Sequence, residues 1–221
     1  FRTTQLALLL LSLVVFLGLI AAGVVIALQD VFRNFVGGIM VFAGGIYQVG
    51  DRIEVDGKTG DVIDIGIMSP TLLELREWIG AEQPSGRITN VPNGFVLTSV
   101  VNNYTKDHDF IWDEFTIPVT YDSDWRLAHR RILAIVRRST AGVTKKAAAS
   151  ISRLEDKYYL PRRPTEPSVY VNPTDNWIEL KVRYTTEVRN RRKVRSDIFR
   201  EVLETVEGSG GKVKMASATF E

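Results

Sequence analysis

The sequence predicts a membrane α-helix followed by two water-side domains, the first all-β and the second α+β. Three observations support this fold class. Residues 6–28 contain no charged side chain, residues 51–103 alternate apolar and polar residues in short runs, and strand and helix patterns follow one another from Trp112 onward. The expected division is 1–45 for the helix and its continuation, 46–110 for the β domain and 111–221 for the α+β domain.

The overall composition averages over these two environments. The 221 residues carry a net charge of +2, and 24% of them are charged, but nearly all of the charge lies after Asp51. A net charge this small does not by itself indicate a nucleic-acid-binding protein. The chain has no cysteine, which excludes disulfides and thiolate metal sites.

The apolar run at residues 6–28 is long enough to cross a membrane. As a helix it would extend about 35 Å, whereas the hydrocarbon core of a bilayer is about 30 Å thick. A signal peptide has a shorter apolar centre, and a buried core helix is rarely apolar on every side for this length. We therefore expect a membrane span. Because the chain begins at Phe1 and holds one such run, we also expect further spans upstream in the full-length protein.

The second half of this run is rich in small residues. They include Gly18, Ala21, Gly23 and Ala27, and small residues let helix backbones approach closely within a membrane. Two interpretations fit: a single contact between two helices, or a ring of identical helices around a narrow pore.

An amphipathic segment follows directly. Apolar residues recur with a helical period from Val31 to Phe42, while Asp30 and Arg33 lie on other faces. A helix of this kind fits a position near the membrane surface. We expect a bend at Gln29 and Asp30, with the Asp30 carboxylate accepting hydrogen bonds from the exposed amides of the new helix.

The next fifty residues predict a small five-stranded barrel of the Sm-like kind. Asp56-Gly57 signals a hairpin turn, and strands are expected at 71–79 and 87–91. Sm-like barrels in other proteins bind RNA. This stretch lacks the interleaved basic and aromatic residues that hold phosphates and stack on bases, so no nucleic acid is expected as a partner.

The remainder predicts a ferredoxin-like α+β domain with an extra helix. Phe115, Ile117 and Val119 alternate as a strand, and residues 122–124 supply a cap for a helix with an apolar stripe. The further elements expected are a second, polar helix at 145–157, strands at 169–171 and 178–184, a helix at 192–207 stopped by Gly208, and a last strand at 213–220.

No arrangement typical of catalysis or metal binding is evident. The two histidines, His108 and His129, are expected in a solvated loop and on the surface, without converging metal ligands. Helix capping explains Asp122 and Asp124 without an acid–base role. We therefore expect no enzyme, no cofactor and no metal.

Two pairs of glycines and one basic run have structural explanations. Gly37-Gly38 and Gly44-Gly45 lack the lysine and serine or threonine of a phosphate loop, so they are expected to serve helix packing and helix termination. The basic run at 189–195 predicts a solvated helix entrance. As an alternative, its potential would enrich anions in a vestibule.

Several motifs, taken in order, resemble the small-conductance mechanosensitive channel (MscS) family. The small-residue helix and its continuation Ala27-Leu28-Gln29-Asp30-Val31-Phe32-Arg33-Asn34-Phe35-Val36-Gly37-Gly38 are similar to the family's pore helix and its kinked extension. The motifs similar to the family's β domain are Val49-Gly50-Asp51-Arg52-Ile53, Gly57-Lys58-Thr59-Gly60-Asp61-Val62, Ile65-Gly66-Ile67, Val91-Pro92-Asn93-Gly94 and Val101-Asn102-Asn103-Tyr104.

The resemblance implies roles for individual residues. Ala22 and Ile26 fall on the family's pore constriction, and Ala22 is smaller than the residue expected there. Gly18, Ala21, Gly23 and Ala27 would pack the pore helices, Gln29 and Asp30 would form the kink, and Pro92, Asn93 and Gly94 form the β-domain motif.

The resemblance also implies a function. It predicts a homo-oligomer, expected to be heptameric, in contact with membrane lipid, that opens under tension and passes ions and small osmolytes to relieve osmotic pressure. The protein would be multi-pass, with its C-terminal domains cytoplasmic. Two alternatives stay open: a membrane-tethered binding module built on the Sm-like and ferredoxin-like domains, and an oligomeric scaffold that does not conduct.

Overall fold

A computed structural model describes residues 2–80, 82–159, 161–162 and 164–217. The chain forms two compact units, one through Asn103 and the other from Tyr104 onward. The first unit holds two long helices and a five-stranded sheet, and the second holds a three-stranded sheet with two long helices.

The apolar run forms helix α1, Arg2–Ala27, and the amphipathic segment forms helix α2, Gln29–Gly44. Within α1, Thr4–Ala27 is long and apolar enough to cross a membrane by length and composition, and none of it is buried in the single chain. Helix α2 is terminated by the residue that follows it, Gly45, whose φ of +54° is a left-handed conformation that glycine adopts without strain. The predicted termination at Gly44-Gly45 is therefore confirmed.

The five-stranded sheet of the first unit is antiparallel throughout. Its strands are β1 (Arg52–Val55), β2 (Lys58–Ile65), β3 (Pro70–Leu75), β4 (Pro84–Asn90) and β5 (Val101–Asn103), in the order β4-β3-β2-β1-β5, with a short helix α3, Phe95–Thr98, before β5. The β1–β2 hairpin closes through Asp56 and Gly57, both at positive φ, as the turn signal predicts. Buried apolar side chains from this unit form one core, which includes Ile53, Val55, Val62, Leu72 and Val91.

One strand boundary differs from the prediction. The strand expected at 71–79 ends at Leu75, because Arg76 and Glu77 adopt positive φ angles of 70° and 50° that a strand cannot accommodate. Strand β4 in turn begins at Pro84, three residues before the expected start.

A buried carboxylate, Glu74, occupies a core-facing position of β3. The Arg87 side chain donates to it from β4, with Nη2 2.6 Å from Oε1, and the Ser85 hydroxyl donates to Oε2 at 3.3 Å. The hydrogen bond from Arg87 holds the pKa of Glu74 below its ordinary value of 4.5, against the opposing effect of burial. Glu74 is thus ionised and paired in the folded sheet.

Glu74→Gln is expected to lower the thermal stability of the protein at pH 7 and to flatten its acid dependence. A carboxyl group with a lowered pKa stabilises the fold fully above its unfolded value, here 4.5, and loses that contribution as the pH falls through the folded value. The melting temperature in detergent micelles, measured from pH 7 to pH 3, checks this. Glu77→Gln is the matched control, since Glu77 forms a more exposed pair with Lys58. Equal effects of the two substitutions would contradict the assignment.

The second unit is built on the antiparallel sheet β6-β8-β7. The elements are β6 (Phe110–Val119), α4 (Trp125–Tyr158), β7 (Ser168–Pro173), β8 (Ile178–Glu187), a 3₁₀ turn (Val188–Asn190) and α5 (Arg191–Glu207). Alternate β6 and β8 side chains pack against both helices in a core that includes Ile117, Leu180, Val182, Ile132 and Ile198. Asp124 caps α4 by accepting a hydrogen bond from the Leu127 amide at 2.9 Å, as predicted.

The prediction of two helices between β6 and β7 was wrong, because α4 is continuous over 34 residues. Its middle carries small and polar residues, but Thr140 and Thr144 are buried, and their hydroxyls donate to the carbonyl oxygens of Val136 and Thr140. Burial of the same helix continues beyond these threonines, where Ala147 and Ile151 pack on Phe110. Continuous burial of one face thus stabilises a helix whose sequence pattern is interrupted.

Of the strand expected at 213–220, the described residues 213–217 form one antiparallel bridge, between Met215 and Val119. Hydrogen bonds from the Thr120 amide to Lys214 and from the Ala216 amide to Pro118 extend this pairing along the free edge of β6. Residues 218–220 lie outside the described residues.

Candidate functional site at the pore helix and the α2 junction

The small residues of α1 are arranged on two sides of one face. At about 100° per residue, Ala22 and Ile26 share a face. Measured from the middle of that face, Gly18 and Ala21 lie about 60° and 120° to one side, and Gly23 and Ala27 lie about 80° and 120° to the other. All six are exposed in the single chain, and nothing lies within 4 Å of a Cβ atom built on Gly18 or Gly23. The described chain supplies no helix that covers either flank.

The boundary between α1 and α2 falls at Leu28, directly before the expected kink residues Gln29 and Asp30. The Leu28 amide still donates to the Val24 carbonyl at 3.0 Å, and the Phe32 amide donates to the Leu28 carbonyl at 3.1 Å. Helix α2 starts without a hydrogen bond from a side-chain cap. The expected capping role of Asp30 was therefore wrong, and its carboxylate instead lies 3.4 Å from the Arg33 guanidinium.

Two glycines bring α2 into backbone contact with loops of the five-stranded sheet. A Cβ atom built on Gly37 would lie 2.2 Å from the Asn93 carbonyl oxygen, and one on Gly38 would lie 2.3 Å from the Ile67 carbonyl oxygen. Neither position has room for a side chain. The predicted packing role of Gly37-Gly38 is confirmed, and the partner is the loop structure of the sheet unit.

Side chains from both partners close this contact. The side-chain oxygen of Asn34, Oδ1, accepts a hydrogen bond from the Gly94 backbone amide at 2.7 Å. Asn93 is fully buried, and its side-chain amide donates to the carbonyl oxygens of Gly66 and Ile67 at 3.0 and 2.8 Å. The set of Asn34, Gly37, Gly38, Ile67, Asn93 and Gly94 is called the α2 junction below. A cleft of about 280 Å³ lies beside it, lined by Asp30, Arg33, Asn34, Pro92, Gly94, Phe95 and Thr98.

Sequence reasoning identified one half of the α2 junction. The motif Pro92-Asn93-Gly94 was recognised by resemblance, but its contacts with Asn34 and Gly37 join residues about sixty positions apart. The signal that was available is the glycine pair within an otherwise bulky amphipathic helix, which indicates a close backbone approach.

The basic run at 189–195 is less solvated than predicted. The Arg191 Nε donates to Asp113 at 2.9 Å, and Asp113 also accepts from the Tyr184 hydroxyl at 2.7 Å in the interior. Burial, together with the bond to Asp113, raises the pKa of Tyr184. The Arg195 guanidinium stacks on the Phe115 ring, 5.4 Å from its centre. Much of the run's charge is thus used to fix the start of α5 on the sheet.

The histidines and acidic residues form no metal site in the described part of the chain, where no three potential ligands converge. His129 is half-buried, contrary to the expected surface position, because its Nε2 lies 3.1 Å from the Val169 carbonyl oxygen. The His108 ring accepts from the Phe110 amide at 3.3 Å within its own loop.

Two family models match the chain. Residues 30–106 match the β-domain of mechanosensitive ion channels, and residues 113–210 match the C-terminal region of the mechanosensitive ion channel MscS. Together these matches cover well over half of the chain.

Curated relatives are described as uncharacterized MscS family proteins. One from Archaeoglobus fulgidus is 24% identical over 185 residues, which is 83% of this chain and 55% of the relative. One from Buchnera aphidicola is 26% identical over 113 residues, which is 51% of this chain and 37% of the relative. The chain spans about half the length, or less, of these relatives.

Solved structures share the fold. The closed-state crystal structure of Helicobacter pylori MscS aligns with a TM-score of 0.69 at 18% identity, over 95% of this chain and 72% of that one. The cryo-EM structure of Arabidopsis thaliana MSL1 aligns with a TM-score of 0.63 at 17% identity, over 91% of this chain and 64% of that one.

Proposed function

Because the chain belongs to the MscS family of mechanosensitive channels, we propose that it is one subunit of a homo-oligomeric channel that opens under membrane tension. The open pore passes ions and small osmolytes down their gradients and so relieves osmotic pressure. By resemblance to the family, the assembly is a heptamer. Its partners are membrane lipid and further copies of the chain, with no nucleic acid and no catalytic role.

The observation that carries this proposal is the arrangement of α1. In a ring of identical helices, each helix touches two neighbours through two different faces and turns a third face to the axis. Helix α1 has this pattern by helical position. Ala22 and Ile26 lie between two flanks, one formed by Gly18 and Ala21 and the other by Gly23 and Ala27. Small residues on both flanks permit the close approach that a narrow pore requires. A lone anchor helix needs no such pattern.

Ile26 forms the main constriction in this proposal. A ring of Ile26 side chains would make a hydrophobic collar that closes by excluding water, and the smaller Ala22 would leave the next level wider. Tension favours the state that occupies more membrane area, so gating requires only that the states differ in area. Tilting of α1 would withdraw Ile26 from the axis.

The α2 junction would couple that motion to the sheet unit. A single residue separates the end of α1 from the start of α2, and the kink at Gln29 and Asp30 would let α1 tilt while α2 keeps its contacts with the sheet. The bond from Gly94 to Asn34 and the glycine contacts at 37 and 38 tie α2 to the sheet. In this proposal segment 1–45 is the membrane part, 46–110 the membrane-proximal β domain and 111–221 the cytoplasmic domain of a multi-pass protein.

Hypo-osmotic shock of cells tests the proposal. Cells that lack their own mechanosensitive channels, expressing the full-length protein, are expected to release osmolytes and survive a sudden dilution better than cells with an empty vector. Survival equal to the empty vector, with the protein shown to be in the membrane, would support the non-conducting scaffold. Binding of RNA by the protein in a salt-sensitive manner would support the tethered binding module.

A further inference from the structure

Helix α4 concentrates the positive charge of the protein. Its 34 residues include nine lysines and arginines but only two acidic residues, whereas the whole chain has a net charge of +2. The helix is therefore more positive than the protein that contains it, and the rest of the chain is net negative.

The basic residues recur as adjacent pairs on the exposed side of α4. The pairs are 130–131, 137–138 and 145–146, all exposed, while Ile132, Val136, Thr140 and Thr144 face the interior. Successive pairs are seven and eight residues apart, or about 10–12 Å along the helix. We call these three pairs the α4 basic face.

Most of this charge is not neutralised within the chain. Among the described residues, Arg138 is the one member of the α4 basic face in an ion pair, with Glu201. The run at 189–195 differs, since Arg191 pairs with Asp113 and Lys193 lies 3.1 Å from Asp197. An exposed row of like charges raises the local potential and attracts an anionic partner.

The residues between the pairs indicate which anionic partner fits. Ala134, Ala141 and Ala148 are exposed and spaced by seven residues, and no aromatic or large apolar side chain is exposed from 130 to 148. Nucleic-acid surfaces use aromatic side chains for stacking, and membrane-surface helices insert large apolar ones. Paired helices contact each other with a seven-residue repeat, which is the spacing of these alanines. The alanines between the basic pairs would let a partner helix approach α4 closely.

We propose that the α4 basic face binds an acidic helical segment of a partner protein. The partner places pairs of acidic side chains every two helical turns, opposite the basic pairs, with small residues between them. This binding does not require that the chain conduct ions.

Fluorescence anisotropy of a labelled 21-residue peptide tests the proposal. The peptide is alanine-rich, with glutamate pairs every seven residues, and is titrated with the full-length protein in detergent micelles at low salt. Binding is expected to weaken about tenfold or more when Arg130, Arg131, Arg137 and Lys145 are changed to glutamine, since each exposed charge pair contributes modestly. Binding is also expected to weaken with added salt.

Two further variants make the result interpretable. The first variant keeps the charge: Arg130, Arg131 and Arg137 are changed to lysine, and Lys145 is changed to arginine. Its affinity for the peptide is expected to stay within about threefold of that of the unmodified protein. Changing four exposed basic residues elsewhere (Lys106, Arg162, Lys193 and Lys212) to glutamine removes equal charge and is expected to change binding less than twofold.

Three outcomes would overturn the proposal. One is an equal loss of binding in both glutamine variants. Another is tighter binding to RNA of equal charge or to anionic vesicles than to the peptide. The third combines two results: the unmodified protein does not bind the peptide, and the α4 glutamine variant has a different number of subunits. That combination would assign this face to a second copy of the chain.

Discussion

Replacing Gly37 with alanine is expected to lower the melting temperature of the protein in detergent micelles by about 3–10 °C. The new methyl group would lie 2.2 Å from the Asn93 carbonyl oxygen, which belongs to backbone and cannot rotate away. Relieving such an overlap typically costs about 1–3 kcal/mol, and in a chain of this size each kcal/mol shifts the melting temperature by about 2–4 °C. The loss occurs although alanine favours a helix more than glycine does.

Gly44→Ala is the matched control in the same helix. A Cβ atom at Gly44 meets only the Ile46 side chain, at 3.7 Å, an ordinary contact. Without an overlap, the higher helix propensity of alanine is expected to leave stability unchanged or slightly raised. If Gly37→Ala melts no lower than Gly44→Ala, the backbone contact at the α2 junction is not formed in the protein.

Replacing Ile26 with serine is expected to lower the suction needed to open the proposed channel. In the proposed closed pore each subunit contributes one isoleucine to the collar, and a serine there removes about 1.5–3 kcal/mol of hydrophobic stabilisation per subunit. Summed over several subunits, this favours a wetted pore at low tension. The opening pressure of single channels in excised liposome patches measures the effect, with the unmodified protein in parallel patches.

Val24→Ser is the matched control for the Ile26 variant. Val24 lies at nearly the same depth in α1 but about 160° around the helix from Ile26. Its substitution adds the same polar group away from the proposed axis, so the opening pressure is expected to stay close to that of the unmodified protein. An unchanged opening pressure and conductance in Ile26→Ser, or equal changes in both variants, would argue against Ile26 as the gate.

Local patterns were sufficient to predict most of the architecture. The uncharged run at 6–28 is stable only in an apolar environment. The turn at Asp56-Gly57 and the alternation at Phe115, Ile117 and Val119 depend on residues that are close in sequence. These features became α1, the β1–β2 hairpin and β6. Where the signal is a period or a turn, the chain itself carries the information.

Features that depend on tertiary contacts were predicted less well. The middle of α4 lacks large apolar residues, and the burial of Thr140 and Thr144 within the second unit, which explains why the helix continues, is not visible in the sequence. The α2 junction required the partner of Gly37, which lies in a loop far along the sequence. The pairing of Arg191 with Asp113 likewise joins distant residues, so a run that looks solvated in sequence is partly buried.

Patch-clamp recording of the full-length protein in liposomes under stepped suction tests the central claim most directly. The proposed function predicts openings whose probability rises reproducibly with suction and which are absent from empty liposomes. Silence at every pressure up to membrane rupture, from protein shown to be inserted and oligomeric, would contradict a tension-gated channel.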